Sequence, residues 1–299
     1  MAKKSCKSLD RRSLIKAGLA ALCAVLMLSA NNSFGSSKSG NEVIRWAFLA
    51  DTHIPADTND NYRGFYPYRN LQKIVSEIVS DLPDGVLIAG DLARLEGKRD
   101  DYLNLKNLLK PVEQRMPVLM ALGNHDNRTN FLTVFAQTPG EKQPVQGKHV
   151  VVGNAPPVRM MILDSLLFVN KVPGLLGKTQ RQWLENYLKS CDDTPTLLCL
   201  HHSLGDGDGE LLDVPRLFEI IKPVRKVKAI IYGHSHEYKY SEYAGIHLIN
   251  LPSTGYNFSD AEPVGWVEAR LTAHGGEFIL HAVAGNMQVD GKVNKLTWR

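Results

Sequence analysis

Short apolar runs alternate with segments of helical periodicity along most of the chain. A short apolar run is typical of a buried strand, whereas apolar side chains at every third or fourth position indicate an amphipathic helix. Strands are therefore predicted over residues 43–50, 86–89, 118–122, 158–163, 196–200 and 228–232. Helices are predicted over residues 71–82, 102–112 and 180–188.

The order of these elements favours an α/β fold in which helices pack outside the sheet. The C-terminal region differs, because residues 264–271 and 278–283 flank the sequence His274-Gly275-Gly276 and predict a β-hairpin. We therefore expect a mixed sheet or two packed sheets. No linker-like segment separates two cores, so residues 43–299 are predicted to form one domain.

The N-terminus has the pattern of an export signal over residues 1–35, followed by a short linker at 36–42. A basic stretch precedes an apolar run of 14 residues, which suits a signal core better than a membrane span. The sequence Asp10-Arg11-Arg12-Ser13-Leu14-Ile15-Lys16 resembles the bacterial twin-arginine signal, and an ordinary secretory signal is the alternative. We expect a periplasmic or other extracytoplasmic protein with no transmembrane segment after signal removal, and a membrane-anchored one if the signal is kept.

The charge of the chain is concentrated at its N-terminus. Of 35 basic and 31 acidic residues, seven basic and one acidic lie within residues 1–40, which leaves 28 basic against 30 acidic residues. The remainder is thus near neutral and lacks the basic surface that nucleic-acid binding requires. We predict no nucleic-acid partner.

Two cysteines, Cys191 and Cys199, follow the predicted signal. An oxidising compartment would permit a disulfide between them. Cys199 lies in an apolar run, however, where a free cysteine behaves as a small hydrophobic residue. The sequence slightly favours two unpaired cysteines, and a disulfide between them is the alternative.

Polar side chains with metal-binding chemistry follow five of the predicted strands. They are Asp51 and His53, then Asp91, then Asn124, His125 and Asp126, then His201 and His202, and finally His234 and His236. In α/β sheets, ligands bind at the carboxyl ends of the strands. This mixture of carboxylate, amide and imidazole suits two divalent ions, with Asp91 able to bridge them. The absence of a thiolate points to Fe, Mn, Zn or Co.

The ordered series Asp-x-His, Gly-Asp, Gly-Asn-His-Asp, His and Gly-His-x-His resembles the calcineurin-like metallophosphoesterase superfamily over about residues 43–258. The segments Leu163-Asp164-Ser165, Gln182-Trp183-Leu184 and Leu212-Asp213 look like the branch with class III cyclic-nucleotide phosphodiesterases and bacterial glycerophosphodiesterases. The resemblance implies an αββα sandwich of two mixed sheets flanked by helices. Purple acid phosphatases carry a tyrosine ligand where this chain has Leu92-Ala93-Arg94, which disfavours that branch.

The resemblance also implies a ligand set in which Asp91 is shared. The first metal ion would be held by Asp51, His53, Asp91 and His236, and the second by Asp91, Asn124, His201 and His234. The family often has His-His-Pro where this chain reads His201-His202-Ser203. His202 is therefore an alternative to His201.

By the same resemblance, a hydroxide held between the ions would attack phosphorus, His125 would assist the leaving group, and Asp126 would orient the ring of His125. Arg128 and His202 are candidates for substrate contact, although a surface or helix-start role suits Arg128 equally. The predicted function is an exported phosphoesterase acting on small molecules, with phosphodiesters favoured. Alternatives are a phosphomonoesterase or nucleotidase, and a catalytically silent metal-binding interaction protein.

Overall fold

The structure of the protein is a computed structural model, which describes residues 42–299. The predicted export signal at residues 1–35 lies outside the described residues. Within residues 42–299, no helix is long and apolar enough to cross a membrane.

Thirteen strands and five α-helices make up the described chain. The strands are β1 (Ile44–Leu49), β2 (Gly85–Ala89), β3 (Val118–Ala121), β4 (Glu141–Lys142), β5 (Val151–Ala155), β6 (Val158–Ile162), β7 (Thr196–Cys199), β8 (Val227–Tyr232), β9 (Lys239–Tyr243), β10 (Ile246–Asn250), β11 (Pro263–Leu271), β12 (Gly275–Gly285) and β13 (Val293–Thr297). The helices are α1 (Pro67–Asp81), α2 (Arg99–Glu113), α3 (Arg128–Val134), α4 (Lys178–Ser190) and α5 (Val214–Ile221), with a 3-10 helix at Met287–Val289.

The strands form two mixed sheets. The six-stranded sheet has the order β13-β12-β11-β1-β2-β3, and the seven-stranded sheet has the order β4-β5-β6-β7-β8-β10-β9. In the first sheet β1, β2 and β3 are parallel, whereas β11 pairs antiparallel with β1. In the second sheet β6, β7, β8 and β10 are parallel. The antiparallel pairing of β11 and β12 confirms the predicted C-terminal hairpin.

Three apolar clusters define the layers. The central cluster joins the facing sides of the sheets, for example Phe48 and Leu87 in the first and Met160 and Ile231 in the second. A second cluster packs α1 and α2 against the outer face of the first sheet. A third cluster packs α4 and α5 against the outer face of the second sheet. The order helix, sheet, sheet, helix confirms the predicted αββα sandwich.

Helix α1 shows how the apolar pattern sets this packing. Leu71, Ile74, Val75 and Ile78 recur at helical spacing, and all are buried. The helix begins at Pro67, whose missing N–H costs nothing at the first helical position. One apolar stripe therefore faces the sheet, and the opposite face meets solvent.

The two described cysteines are both free thiols. Cys199 is buried in the central cluster, and burial raises the pKa of its thiol. The structure therefore contains no disulfide between Cys191 and Cys199.

Candidate metal centre

The carboxyl ends of β1, β2, β3, β7 and β8 deliver the predicted ligands to one region. Three overlapping groups have ligand atoms within 4.8 Å of one another. They are Asp51 with His53 and His236, His53 with Asp91 and His125, and Asp91 with His201 and His234. Six of the seven predicted metal ligands thus lie in these groups.

The first group lies on the side of β1. The Nε2 atom of His236 is 3.4 Å from Oδ1 of Asp51. The Nε2 atom of His53 is 3.2 Å from Nε2 of His236 and 3.8 Å from Oδ2 of Asp91. Asp51, His53 and His236 are almost completely buried, so their polar atoms face each other and not water.

The second group lies on the side of β7 and β8. The Nε2 atom of His201 is 3.3 Å from Oδ2 of Asp91, the same oxygen that His53 approaches. The Nδ1 atom of His234 is 3.2 Å from Nε2 of His201. Asp91 therefore connects the two groups through a single carboxylate.

Five histidine rings at the centre each place one nitrogen against a main-chain carbonyl oxygen. The contacts are His53 Nδ1 to Arg94 (3.3 Å), His125 Nδ1 to Leu95 (2.9 Å), His201 Nδ1 to Ala89 (2.8 Å), His236 Nδ1 to Tyr256 (2.6 Å) and His234 Nε2 to Gly209 (2.9 Å). Because a carbonyl only accepts hydrogen bonds, the anchored nitrogen carries the proton of a neutral ring. In the neutral form the other nitrogen has a free lone pair, and in all five rings it is the atom that faces the ligand groups.

The protonation of His53, His201 and His234 follows from burial and from Asp91. Burial lowers the pKa of His53 to about 3 and that of His234 to about 4, so both are neutral near pH 7, as metal ligands must be. Burial also opposes the charged form of His201, but the nearby Asp91 carboxylate outweighs it and raises the pKa of His201 to about 9. The pKa of Asp91 lies well below its usual value because His201 outweighs the effect of burial. The pair of Asp91 and His201 is therefore electrostatically suited to bind a cation, which would replace the proton on His201.

The backbone is strained at five of the seven predicted ligands. Asp51, His53, Asp91, His234 and His236 have φ values of 52°, 46°, 48°, 75° and 57°. This left-handed conformation is uncommon for residues other than glycine, and each case costs roughly 1–3 kcal/mol. Strain of this kind persists only where the surrounding structure enforces it, and it clusters at functional sites.

Two glycines allow loops from opposite sides to approach the carboxylates. A Cβ atom added to Gly123 would lie 2.2 Å from Oδ1 of Asp91. A Cβ atom added to Gly233 would lie 2.3 Å from Oδ2 of Asp51. Any larger residue would push the carboxylates away from the histidines.

Asn124 provides an independent test of whether the residues fit a cation. Its side-chain oxygen Oδ1 is buried and has no hydrogen-bond partner. Its main-chain oxygen accepts a hydrogen bond of 2.6 Å from the N–H of Asn170, which fixes the loop. An unpartnered buried acceptor is costly, and a cation would satisfy it. The donor set of oxygen and imidazole therefore fits a bound divalent ion.

His125 lies at the edge of the centre. Its Nε2 atom is 3.9 Å from Oδ2 of Asp91, and 19% of its side chain is exposed. Its main-chain N–H donates a hydrogen bond of 2.8 Å to Oδ1 of Asp91. Partial exposure, which His125 shares with His234 but not with the buried His53, His201 and His236, gives this ring access to a substrate.

Asp126 does not orient the ring of His125, so this prediction was wrong. The carboxylate is completely buried and accepts four hydrogen bonds, from the N–H groups of Gly123 (2.8 Å), Leu92 (3.1 Å) and Ala93 (3.1 Å) and from the hydroxyl of Tyr102 (3.0 Å). The carbonyl of Leu95 takes the role expected of Asp126. Asp126 instead ties together the loops that carry Asp91 and Asn124, and burial, followed by the charge of Asp91, raises its pKa to about 7.

Arg128, predicted as a substrate contact, is paired with Asp164. Its Nε atom lies 2.5 Å from Oδ2 of Asp164, and one of its terminal nitrogens also donates to the carbonyl of Leu166. Asp164 has no exposed surface. The guanidinium at the start of α3 is thus committed to a structural ion pair.

His202 is buried beside the ligand rings. Its Nδ1 atom is 2.8 Å from Oγ of Ser165, and its ring lies 5.0 Å from that of His201 and 4.8 Å from that of His234. The side chain of His202 has no exposed surface, whereas the predicted contact with substrate would require an exposed one. Of the two adjacent histidines, His201 is the one whose Nε2 approaches Asp91.

Several contributors to the centre were missed in the sequence. They are the carbonyl groups that anchor the histidines and the hydroxyl groups of Ser165 and Tyr102. Ser165 lies three residues after the end of β6, so its position near a strand end was an available signal. The carbonyl contacts carry no signal in residue type, because every residue has one.

Comparisons with known proteins indicate one family. A model of the calcineurin-like phosphoesterase family matches residues 44–238. A probable cyclic nucleotide phosphodiesterase of Vesicomyosocius okutanii is 30% identical over 224 residues, which cover 73% of this chain and 89% of that protein. A 3',5'-cyclic adenosine monophosphate phosphodiesterase of Haemophilus influenzae is 27% identical, with 78% and 87% covered.

A solved structure extends the comparison to the fold. The dimetal phosphatase from Danio rerio superimposes with a TM-score of 0.67 and 16% identity, covering 86% of this chain and 99% of that one. At this identity the likeness concerns the fold alone. The family match spans every predicted metal ligand from Asp51 to His236. The chain belongs to the calcineurin-like phosphoesterase family.

Proposed function

We propose that the protein is a dinuclear metal-dependent phosphodiesterase acting on small molecules. The observation that carries this proposal is the single oxygen of Asp91 that faces both His53 at 3.8 Å and His201 at 3.3 Å. A carboxylate so placed can be shared by two cations. The relatives named as cyclic nucleotide phosphodiesterases support diester chemistry.

The proposed ligands divide between two ions that share Asp91. Asp51, His53 and His236 complete the first set, and Asn124, His201 and His234 complete the second. The candidate metals are Fe, Mn, Zn and Co, since all accept oxygen and imidazole ligands. When bound, the two ions would stabilise charge on the phosphoryl oxygens and make water available as a nucleophile near neutral pH.

His125 is proposed to assist the leaving group. Its Nδ1–H is held by the carbonyl of Leu95, so a protonated ring presents Nε2–H on the side of Asp91. As an oxygen of water bonds to phosphorus and the ester P–O bond breaks, this proton would pass to the departing alkoxide. The products are an alcohol and a phosphomonoester.

The charges around the centre favour a diester over a monoester. Arg94 pairs with Asp60 at 3.0 Å, and Arg128 pairs with Asp164. Lys148 donates to three main-chain carbonyls, at 2.8–3.0 Å. These three partly buried cations are therefore already engaged and are not free to pair with the second negative charge of a monoester. A diester carries a single negative charge.

Export through a twin-arginine-type signal is part of the proposal. It is supported by the sequence of residues 1–35, with their paired arginines and short apolar run. Export would expose the enzyme to phosphoesters outside the cytoplasm, in solution or, if the signal is kept, at a membrane surface.

A substrate comparison tests the activity. Protein loaded with Mn²⁺ is expected to hydrolyse bis(p-nitrophenyl) phosphate with a kcat/KM at least about tenfold above that for p-nitrophenyl phosphate, because one charge is the better match. Chelator-treated protein is the control and should be inactive on both. Faster hydrolysis of the monoester would support a phosphomonoesterase or nucleotidase. Metal binding without hydrolysis of either ester would support an interaction protein.

A further inference from the structure

We infer that the centre selects phosphoesters with an apolar organic group, through exposed apolar side chains around it. This inference rests on the proposed function. The side chains are Tyr62, Leu95, Phe168, Val172 and Phe258, which we call the apolar rim. Between 40% and 65% of each is exposed. Single exposed apolar residues are ordinary, but a group of them around one site marks a binding surface.

On the side of the first ligand group, the rim reaches the centre through ring contacts. The ring of Phe258 stacks on that of His236, with centroids 4.4 Å apart and an interplanar angle of 26°. The ring of Tyr62 lies 4.8 Å from that of Tyr256, which in turn lies 4.7 Å from that of His53. Each exposed ring is therefore one or two contacts from a proposed metal ligand.

The remaining rim residues connect to the centre through the backbone. Leu95 supplies the carbonyl that anchors His125, at 2.9 Å. Phe168 and Val172 lie two residues on either side of Asn170, whose N–H donates to the main-chain oxygen of Asn124 at 2.6 Å. The loop with Phe168 and Val172 is thereby fixed to a proposed ligand.

Val172 has a further connection to the centre. A Cβ atom added to Gly209 would lie 3.0 Å from Cγ1 of Val172. The carbonyl of Gly209 accepts a hydrogen bond of 2.9 Å from Nε2 of His234. Four separate loops, those after β1, β2, β6 and β10, thus carry the exposed apolar residues and are connected to the ligands or to His125.

The surrounding charges indicate which occupant fits. Arg94, Arg128 and Lys148 are engaged with protein acceptors, so none of these three is free to pair with a second phosphate or carboxylate on the substrate. An alkyl or aryl ester group would instead cover the apolar rim and remove it from water. The geometry therefore assigns the phosphate to the ligand groups and the organic group to the rim.

Two p-nitrophenyl phosphodiesters that differ only in the second ester group test this assignment. Methyl and hexyl p-nitrophenyl phosphate share one leaving group, so their difference reports contact with the alkyl chain. With Mn²⁺-loaded protein, kcat/KM for the hexyl ester is expected to exceed that for the methyl ester by at least about tenfold. In Tyr62→Ser and Phe168→Ser variants, this ratio should fall to about threefold or less.

Val293→Ser is the matched control. Val293 is 45% exposed but lies on β13, the outermost strand of the first sheet, so its replacement should keep the ratio. Equal kcat/KM for the two esters in the unmodified protein, or the same ratio in all variants, would overturn the inference.

A binding measurement separates this inference from the proposed activity. If neither ester is hydrolysed, the proposed function fails, and calorimetry with methyl and hexyl methylphosphonate then decides the role of the rim. Tighter binding of the hexyl compound, lost in Phe168→Ser, would support the apolar rim. Equal binding of the two compounds would overturn it.

Discussion

Replacing Asp91 with asparagine is expected to lower kcat/KM for bis(p-nitrophenyl) phosphate by at least about a thousandfold. The replacement keeps the shape of the side chain but removes the negative charge that faces both His53 and His201. A neutral amide cannot be shared by two cations in the same way, so one or both would be lost. The measurement is steady-state hydrolysis after Mn²⁺ loading.

Two comparisons make this result specific. Asp60→Asn is the matched control, because Asp60 pairs with Arg94 at the edge of the same region and is not a proposed ligand. Thermal unfolding should show that Asp91→Asn still folds, which separates loss of the centre from loss of the fold. Retention of more than about a tenth of the activity would contradict a shared carboxylate.

Replacing His125 with alanine is expected to lower turnover by about a hundredfold to ten-thousandfold for esters with alkyl leaving groups. An alkoxide needs a proton as it departs, and His125 is a partly exposed ring at the edge of the centre. p-Nitrophenolate is a much better leaving group, so the loss for bis(p-nitrophenyl) phosphate should be far smaller. The difference between the two leaving groups is the diagnostic result.

Metal content distinguishes this role from metal binding. His125 also belongs to a group with His53 and Asp91 whose ligand atoms lie within 4.8 Å, so it could itself hold an ion. We expect His125→Ala to keep its metal, with His274→Ala, an exposed residue of the C-terminal hairpin, as control. Equal losses for both leaving groups, together with loss of metal, would make His125 a ligand instead of an acid.

The predictable parts of the fold were those with a strong burial pattern. Strands β2, β3 and β7 are buried at every position, and their continuous apolar runs predicted them. Strand β9 was not predicted, because it is an edge strand with the sequence Lys-Tyr-Ser-Glu-Tyr and is mostly exposed. Because β9 has neither a buried face nor an apolar period, only its pairing with β10 determines that it forms a strand.

The candidate centre was predictable in residue type but not in detail. Asp, Asn and His at five strand ends predicted a metal centre, since parallel strands bring these ends to one edge. The role of Asp126 was not predictable from its position beside His125. The turn after β3 sends the two side chains in different directions, one to Asp91 and the other to the backbone of Leu92 and Ala93.

The choice between His201 and His202 shows the same limit. Adjacent residues at a strand end point to opposite sides, and the sequence does not reveal which side faces the ligands. In the structure Nε2 of His201 approaches Asp91, while His202 bonds to Ser165. The assignment of His201 as the ligand stays a prediction until metal binding is measured.

Elemental analysis of the purified protein after loading with Mn²⁺, Fe²⁺ or Zn²⁺ tests the central claim most directly. We predict about two ions per chain, because two groups of ligands share Asp91. The number should fall to one or none in Asp91→Asn. A chain that retains no metal after loading with any of these ions would contradict the account.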